Sequence, residues 1–229
     1  MKEFGELVLK HKGKRICIMG GAPSLEDDLI QIEADVYIST NGHGCGLVSP
    51  DYLFAMDEAN GNQGGVPMGG YLRGLSDAPI ISPRGYADYY LTDWPQAPRD
   101  VLSGMVAAWA AYMMGAKVVI LAGMDGYQKS GFIGESVKMA RDIHCPVRVM
   151  SDELTKAWPR YDPAEKFGRY KPHPDIETKQ NVDGMTIIEC VKATNFRGSP
   201  LNAGQRVKVS RHEVRRLLKH KMVIEVSDG

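Results

Sequence analysis

The stretch RICIMGGAPSLEDDL, residues 15–29, constrains the fold more than any other part of the chain. Its first five residues are too few for a surface helix and lack the alternation of a half-solvated strand. They predict a strand buried on both faces. Two glycines and a proline end that strand, and Ser24 opens a helix predicted to run to about Ile32. A strand, a glycine turn and a helix are the opening of a β-α-β unit, whose next strand returns parallel to the first. The same grammar recurs downstream: ADVYIST, PDYLFAMD, APIISP, KVVILAGMD and PVRVMS all read as strands. The segment SGMVAAWAAYMMGA, from Ser103 to Ala116, is apolar on nearly every side and predicts a helix enclosed between other elements. Residues 4–12 predict a short helix closed by Gly13, and residues 58–70, rich in Gly and Asn, predict a loop. Strands alternating with helices or long crossovers imply an α/β fold with a mostly parallel sheet.

Composition changes after residue 156. WPRYDPAEKFGRYKPHPDIETKQNVDG combines four prolines, many charges and no apolar period, so residues 157–183 predict an extended arm or linker. Regularity resumes with MTIIECVKA (strand), TNFRGSPLNAG (loop), QRVKVS (strand), RHEVRRLLKHK (helix) and MVIEV (strand). Ser210 with Glu213 forms a capping box for that helix. The expected organisation is a domain over 1–156, the arm over 157–183, and a small β-β-α-β module over 184–229.

Lys and Arg number 28 and Asp and Glu number 28, so the chain carries no net charge that would favour nucleic acid or an anionic membrane as a whole. Locally, the helix from Arg211 to Lys221 sets a basic face against Val214, Leu217 and Leu218. That face is either simply solvated or the contact for a protein or nucleic-acid partner. Cys17, Cys45, Cys145 and Cys190 are widely spaced without a CxxC pair, as expected of reduced thiols in a cytoplasmic protein. The first residues lack the apolar core of a signal peptide, and no apolar run approaches about 18 residues, so no membrane association is expected.

Gly20, Gly21, Ala22, Pro23 and Ser24 form the first candidate site, because a glycine turn feeding a helix lets backbone amides approach a phosphate. The spacing is neither GxGxxG nor a Walker loop. Glu26, Asp27 and Asp28 in the first helical turn would repel a phosphate unless they face away from it. Asp57 and Asp125 each follow an apolar strand at its carboxyl end, where open α/β sheets bind ligands. They either hold Mg²⁺ through water or cap the turns that follow. Ser103 and Gly104 open a helix, as a second anion site or as an ordinary N-cap. NGHGCG, residues 41–46, places His43 two residues from Cys45 but lacks two further metal ligands, and reads as a loop. No GxSxG elbow surrounds Ser24 or Ser103, which argues against a hydrolase triad.

The run from the first strand through G-G-A-P-S-L resembles the opening motif of a Rossmann-like group. That group contains the archaeal 6-hydroxymethylpterin diphosphokinases and the bacterial sialyltransferases that use CMP-sialic acid. DVYISTNG, SPDYLFAMD and SGMVAAWAAYMMGAKVVILAGMDGY resemble that group's later segments in the same order, over about residues 14–150. Gly20, Pro23, Ser24, Leu25 and Asn41 match its pattern, whereas Ala22 replaces a glycine and Gly21 an asparagine. No histidine matches the sialyltransferases' catalytic one, which argues against sialyl transfer itself; His43 and His144 stand in other contexts. The resemblance implies a Rossmann-like domain binding a nucleotide or sugar-nucleotide donor and transferring a phosphoryl, pyrophosphoryl or glycosyl group. It implies turn amides on phosphate, Asn41 on base or ribose, and Asp57 and Asp125 as catalytic carboxylates positioning Mg²⁺ or the acceptor. The tail resembles small modules of tailed-phage genomes. That likeness implies a phage source and action in the host cytoplasm, or the alternative of a non-catalytic accessory or virion-associated protein.

Overall fold

In the computed structural model, the described residues are 1–60, 65–92, 102–124 and 143–168, with five strands beyond residue 185. The chain divides into two compact units, Met1–Lys171 and Pro172–Gly229.

The first unit is built on one sheet of eight strands: β1 (Lys2–Glu3), β2 (Arg15–Met19), β3 (Val36–Thr40), β4 (Tyr52–Phe54), β5 (Ile80–Ser82), β6 (Tyr89–Tyr90), β7 (Val118–Ala122) and β8 (Val147–Val149). Their order is β1-β6-β5-β4-β3-β2-β7-β8, and every adjacent pair is parallel. Across its middle, β4-β3-β2-β7-β8 reproduces the 3-2-1-4-5 order of Rossmann sheets. The fold is therefore α/β and Rossmann-like.

The burial of β2 and β7 explains this architecture. Alternate residues of a strand face opposite sides. Cys17 and Met19 join Val118, Ile120 and Ala122 in one core layer, with Leu25 and Ile32 from the first helical segment. Ile16, Ile18, Val119 and Leu121, between them in register, are also essentially inaccessible, so the other face is covered as well. Helix α1 (Leu25–Gln31) packs against β7, and a later helix (Ser103–Met113) packs across β2, β3 and β7. That later helix is buried from Gly104 through Met113, as its uninterrupted apolar composition predicts.

Several local expectations are corrected. Residues 4–12 hold only a 3-10 turn, Phe4–Leu7, and Leu9 takes a left-handed φ of 58° that interrupts a regular helix. The expected loop over 58–70 contains a short antiparallel pair, Ala59–Asn60 with Val66–Pro67, and then the start of α2 (Met68–Leu75). Met68 and Leu72 bury against Leu53 and Ile80, which supports a helix the glycines alone would disfavour. The helix from Ser103 is α3, and its N-cap is Leu102 rather than Ser103.

The first unit also passes the expected boundary at 156. Trp158 and Tyr161 are buried, and the Tyr161 hydroxyl accepts from the Glu33 N–H at 3.3 Å. Arg148 on β8 donates through Nε to Glu165 at 2.7 Å and lies 5.4 Å from the Phe167 ring centre. Aromatic burial and this ion pair fasten residues 158–167 to the sheet.

In the second unit, Thr186–Cys190 pairs antiparallel with Arg206–Val209 on one side and Val223–Val226 on the other. Thr194–Phe196 pairs with Ser199–Leu201, so the expected loop over 194–204 contains a hairpin. The expected helix over 211–221 lies outside the described residues. Among the described residues no helix is long and apolar enough to cross a membrane.

Candidate functional site

Strand β2 leads through α1 to β3 on one side, whereas β7 is followed by β8 on the other. The carboxyl ends of β2 and β7 therefore flank a topological switch point, the place where open α/β sheets bind ligands. Residues 20–24 follow β2 there, and residues 123–124 follow β7.

The turn is laced to its neighbour. Gly20 N–H donates to the Ala122 carbonyl at 2.8 Å, and Ala22 N–H to the Gly123 carbonyl at 2.8 Å. A Cβ on Gly20 would stand 2.5 Å from the Gly123 oxygen and 2.7 Å from Met124 Cγ. Gly123, at a φ of 61°, has equally little room, with Leu25 Cβ 2.8 Å from where its own Cβ would lie. The glycine at 20 is thus required by close backbone packing, and the Gly20 and Ala22 amides are directed inward. Among the described residues, Gly21 N–H donates to no backbone carbonyl.

The three carboxylates of α1 separate sharply. Glu26 and Asp27 are exposed, whereas Asp28 is buried, at 7% exposure. Its Oδ2 accepts from Gly123 N–H at 2.8 Å and from the Ser24 hydroxyl at 3.3 Å. Asp28 is consequently a tie between α1 and the end of β7, turned inward rather than toward a ligand. Its buried charge also contributes to raising the pKa of the Cys17 thiol, after desolvation as the larger cause.

Asn41 stands directly after β3 with a left-handed φ of 53°, a conformation asparagine tolerates better than most residues. Its N–H donates to the Phe54 carbonyl at 2.8 Å, while its side-chain Oδ1 is buried and has no hydrogen-bond partner among the described residues. Thr40 beside it donates through Oγ1 to the Met19 carbonyl at 2.6 Å, which ties the end of β3 to the end of β2.

Gly104, the residue after Ser103, meets Met124, which also packs against Gly20. A Cβ on Gly104 would lie 2.6 Å from Met124 Cε, so the Met124 side chain fills the space between the Gly20 turn and the start of α3. Asp57 is less closely placed. It is exposed, three residues past a strand that ends at Phe54, and strand spacing puts β4 about 10 Å from β2. Its backbone is clamped: Arg84 Nε donates to the Met56 carbonyl at 2.7 Å, and the Tyr86 hydroxyl to the Asp57 carbonyl. Asp125 lies outside the described residues. Among the described residues no three His, Cys, Asp or Glu side chains converge as a metal site.

One group at this site was not legible in the sequence. The His43 imidazole lies against Gly21: a Cβ there would be 2.6 Å from both Cε1 and Nε2. No spacing rule links residues 21 and 43; the parallel pairing of β2 with β3 does. His144, by contrast, packs edge-on to Tyr112, with ring centres 6.0 Å apart. Tyr112 is nine residues along α3 from Ser103, about 13 Å away.

No family model and no curated protein matches the sequence significantly. Among solved structures, the chain is similar to an alpha-2,3-sialyltransferase from Campylobacter jejuni, at 13% identity over 76% of this chain and 90% of that one, with a TM-score of 0.48. It is also similar to the sialyltransferase CstII of that organism in complex with cytidine 5'-monophosphate, at 12% identity, 73% and 97% coverage and a TM-score of 0.47. A third similarity is to thiamine pyrophosphokinase from Bacillus subtilis, at 13% identity, 86% and 85% coverage and a TM-score of 0.40. The strand order, rather than these distant likenesses, carries the fold assignment.

Proposed function

We propose that this protein binds a nucleotide or sugar-nucleotide at the switch point between β2 and β7 and transfers a phosphoryl, pyrophosphoryl or glycosyl group from it. The observation that carries the reading is the buried Asn41 Oδ1 without a partner among the described residues. An unsatisfied buried acceptor costs about 1–3 kcal/mol, which a hydrogen bond from a ribose hydroxyl or a base amine would recover. The His43 ring lies against Gly21, and Met124 lies against both Gly20 and Gly104. Asp57 and Asp125, which follow β4 and β7 in the sequence, are the candidates for positioning an acceptor or Mg²⁺. Ser103 and Gly104 are the second candidate contact for the ligand, at the start of α3.

Titration with CMP, CDP, UDP, GTP and ATP, with and without Mg²⁺, tests the proposal directly. At least one should bind below millimolar concentration, and Asn41→Gly, which suits the left-handed backbone, should weaken it about tenfold without loss of fold. Absence of submillimolar binding by every nucleotide sinks the reading.

A specific observation favours a second reading, in which the fold is a scaffold. Gly20 and Ala22 direct their amides to Ala122 and Gly123, as a purely structural turn would. A non-catalytic phage accessory or virion protein, docking a protein or nucleic acid through residues 211–221, would need nothing more of this turn. Stoichiometric recovery of the chain in purified particles, with no nucleotide affinity, would favour it.

A further inference from the structure

Residues 1–14 strap the edge of the sheet to α3 and to the start of β4. At one end β1 pairs with β6, and Lys2 N–H donates to the Asp88 carbonyl at 2.7 Å. Phe4 then stacks on Trp109 of α3, with ring centres 6.2 Å apart, and Leu7 is fully buried. Leu9, His11 and Gly13 donate their N–H groups to the carbonyls of Met113, Met114 and Gly115, at 3.0, 2.8 and 2.8 Å. Strand pairing thus holds the start of the strap, and the end of α3 holds its finish.

One side-chain contact of the strap is polar and titratable. His11 Nε2 lies 2.9 Å from the hydroxyl of Tyr52, the buried first residue of β4, and the two rings meet edge to face. Lys10 reaches the same tyrosine: its Nζ is 5.7 Å from the ring centre, and a hydrogen bond to Tyr52 is the largest cause raising its pKa. Lysine can only donate, so it takes the Tyr52 oxygen, and the Tyr52 O–H is left to donate to His11 Nε2. The imidazole is therefore a neutral acceptor with its proton on Nδ1. Protonation would put an N–H where the Tyr52 O–H needs an acceptor, and a second cation beside Lys10. Asp51, just before β4, is the one carboxylate that favours a charged ring, and it is already engaged by Tyr37 N–H at 2.8 Å. Lys14 on the strap opposes the charge, and Met113 and Met114 of α3 carry none.

We infer that His11 is an acid-released latch, whose protonation lets residues 1–14 open from β6, α3 and β4 while the rest of the sheet stays folded. Desolvation first, and then the charge of Lys10, hold its pKa in the closed strap below the ordinary histidine value. In the opened strap the ring is in water and titrates near the ordinary value of about 6.5. The latch is therefore complete above about pH 6.5 and weakens as pH falls below it, because the open form binds the proton more readily. Opening uncovers Trp109 and the edge of β6. His43 is also held below the ordinary value by desolvation, but it follows the carboxyl end of β3, whereas His11 meets the amino end of β4. A His11 variant therefore separates the two.

Hydrogen exchange read by mass spectrometry on the full chain, at pH 7.5 and pH 5.0 with intrinsic rates corrected, tests the latch. Protection over residues 1–14 should fall about threefold or more on acidification, relative to peptides from β2 and β7. His11→Gln supplies a carbonyl oxygen as an acceptor that does not titrate, so its strap should stay protected at both pH values. His11→Leu offers no acceptor, and its strap should be less protected already at pH 7.5. If residues 1–14 and the β2 and β7 peptides lose protection together, the strap is no separate device and the inference is wrong. It is equally wrong if His11→Gln keeps the parent's pH dependence.

Discussion

Asp28 offers the sharpest test of how this domain is held together, because its neighbours in sequence are internal controls. Its carboxylate accepts from the Gly123 amide at 2.8 Å and from Ser24 at 3.3 Å, and at 7% exposure it is nearly removed from water. Hydrogen bonds to a charged group contribute about 1.5–3 kcal/mol, and truncation leaves the Gly123 N–H without this acceptor. Asp28→Ala should therefore cost about 2–4 kcal/mol. Asp28→Asn keeps an acceptor of the same shape and removes a buried charge that is itself costly to desolvate, so about 1 kcal/mol is expected. Glu26→Ala and Asp27→Ala remove exposed carboxylates from the same helical turn. The lost interaction with the helix dipole, about 0.3–1 kcal/mol, is largely offset by alanine's helix propensity. Urea unfolding followed by tryptophan fluorescence isolates the relevant unit, since Trp94, Trp109 and Trp158 all precede residue 171. With a slope of roughly 2 kcal/mol per molar, Asp28→Ala should lower the midpoint by about 1–2 M and the two controls by under about 0.4 M. Equal shifts for all three residues, or a midpoint for Asp28→Ala within about 0.3 M of the parent, would refute the tie between α1 and β7.

Gly20→Ala should destabilise the first unit by about 1–3 kcal/mol or more, because its Cβ would press on the Gly123 carbonyl; an unchanged melting temperature would show that the turn has slack. Truncation after Lys171 should leave a cooperatively unfolding protein, whereas truncation after Lys156 should lose it, since it removes buried Trp158 and Tyr161 together with the Arg148 partner Glu165; limited proteolysis and calorimetry distinguish the two. The pKa of Glu165 is lowered chiefly by its hydrogen bond from Arg148, so its stabilising contribution is complete above the ordinary glutamate value of about 4.3 and is lost as pH falls through the depressed folded value. Glu165→Gln should accordingly lower the melting temperature at pH 7 and reduce its fall between about pH 5 and pH 3, and identical acid profiles would remove the pair from the stability of this unit.

The strands β2, β3 and β7 and the helix α3 were legible in the sequence because their burial demands unbroken apolar runs, and such runs leave a one-dimensional trace. The parallel sheet followed from their alternation with helices. The edge strand Lys2–Glu3 and its neighbour Tyr89–Tyr90 were not legible: two residues carry no period, and each becomes a strand only by pairing with what lies beside it. The site divides in the same way. Glycine and asparagine at 20, 21 and 41 marked a turn and a strand end, but not what each was for. Whether Asp28 faces a ligand or the protein depends on Gly123, 95 residues away in sequence, and Glu26, Asp27 and Asp28 differ only by successive rotations of one helix. The glycine at 20 answers to the Gly123 carbonyl, and the glycine at 21 to the ring of His43. Both requirements arise only when β7 and β3 close on either side of β2, because sequence determines which side chains a strand offers and tertiary packing determines what lies across from them.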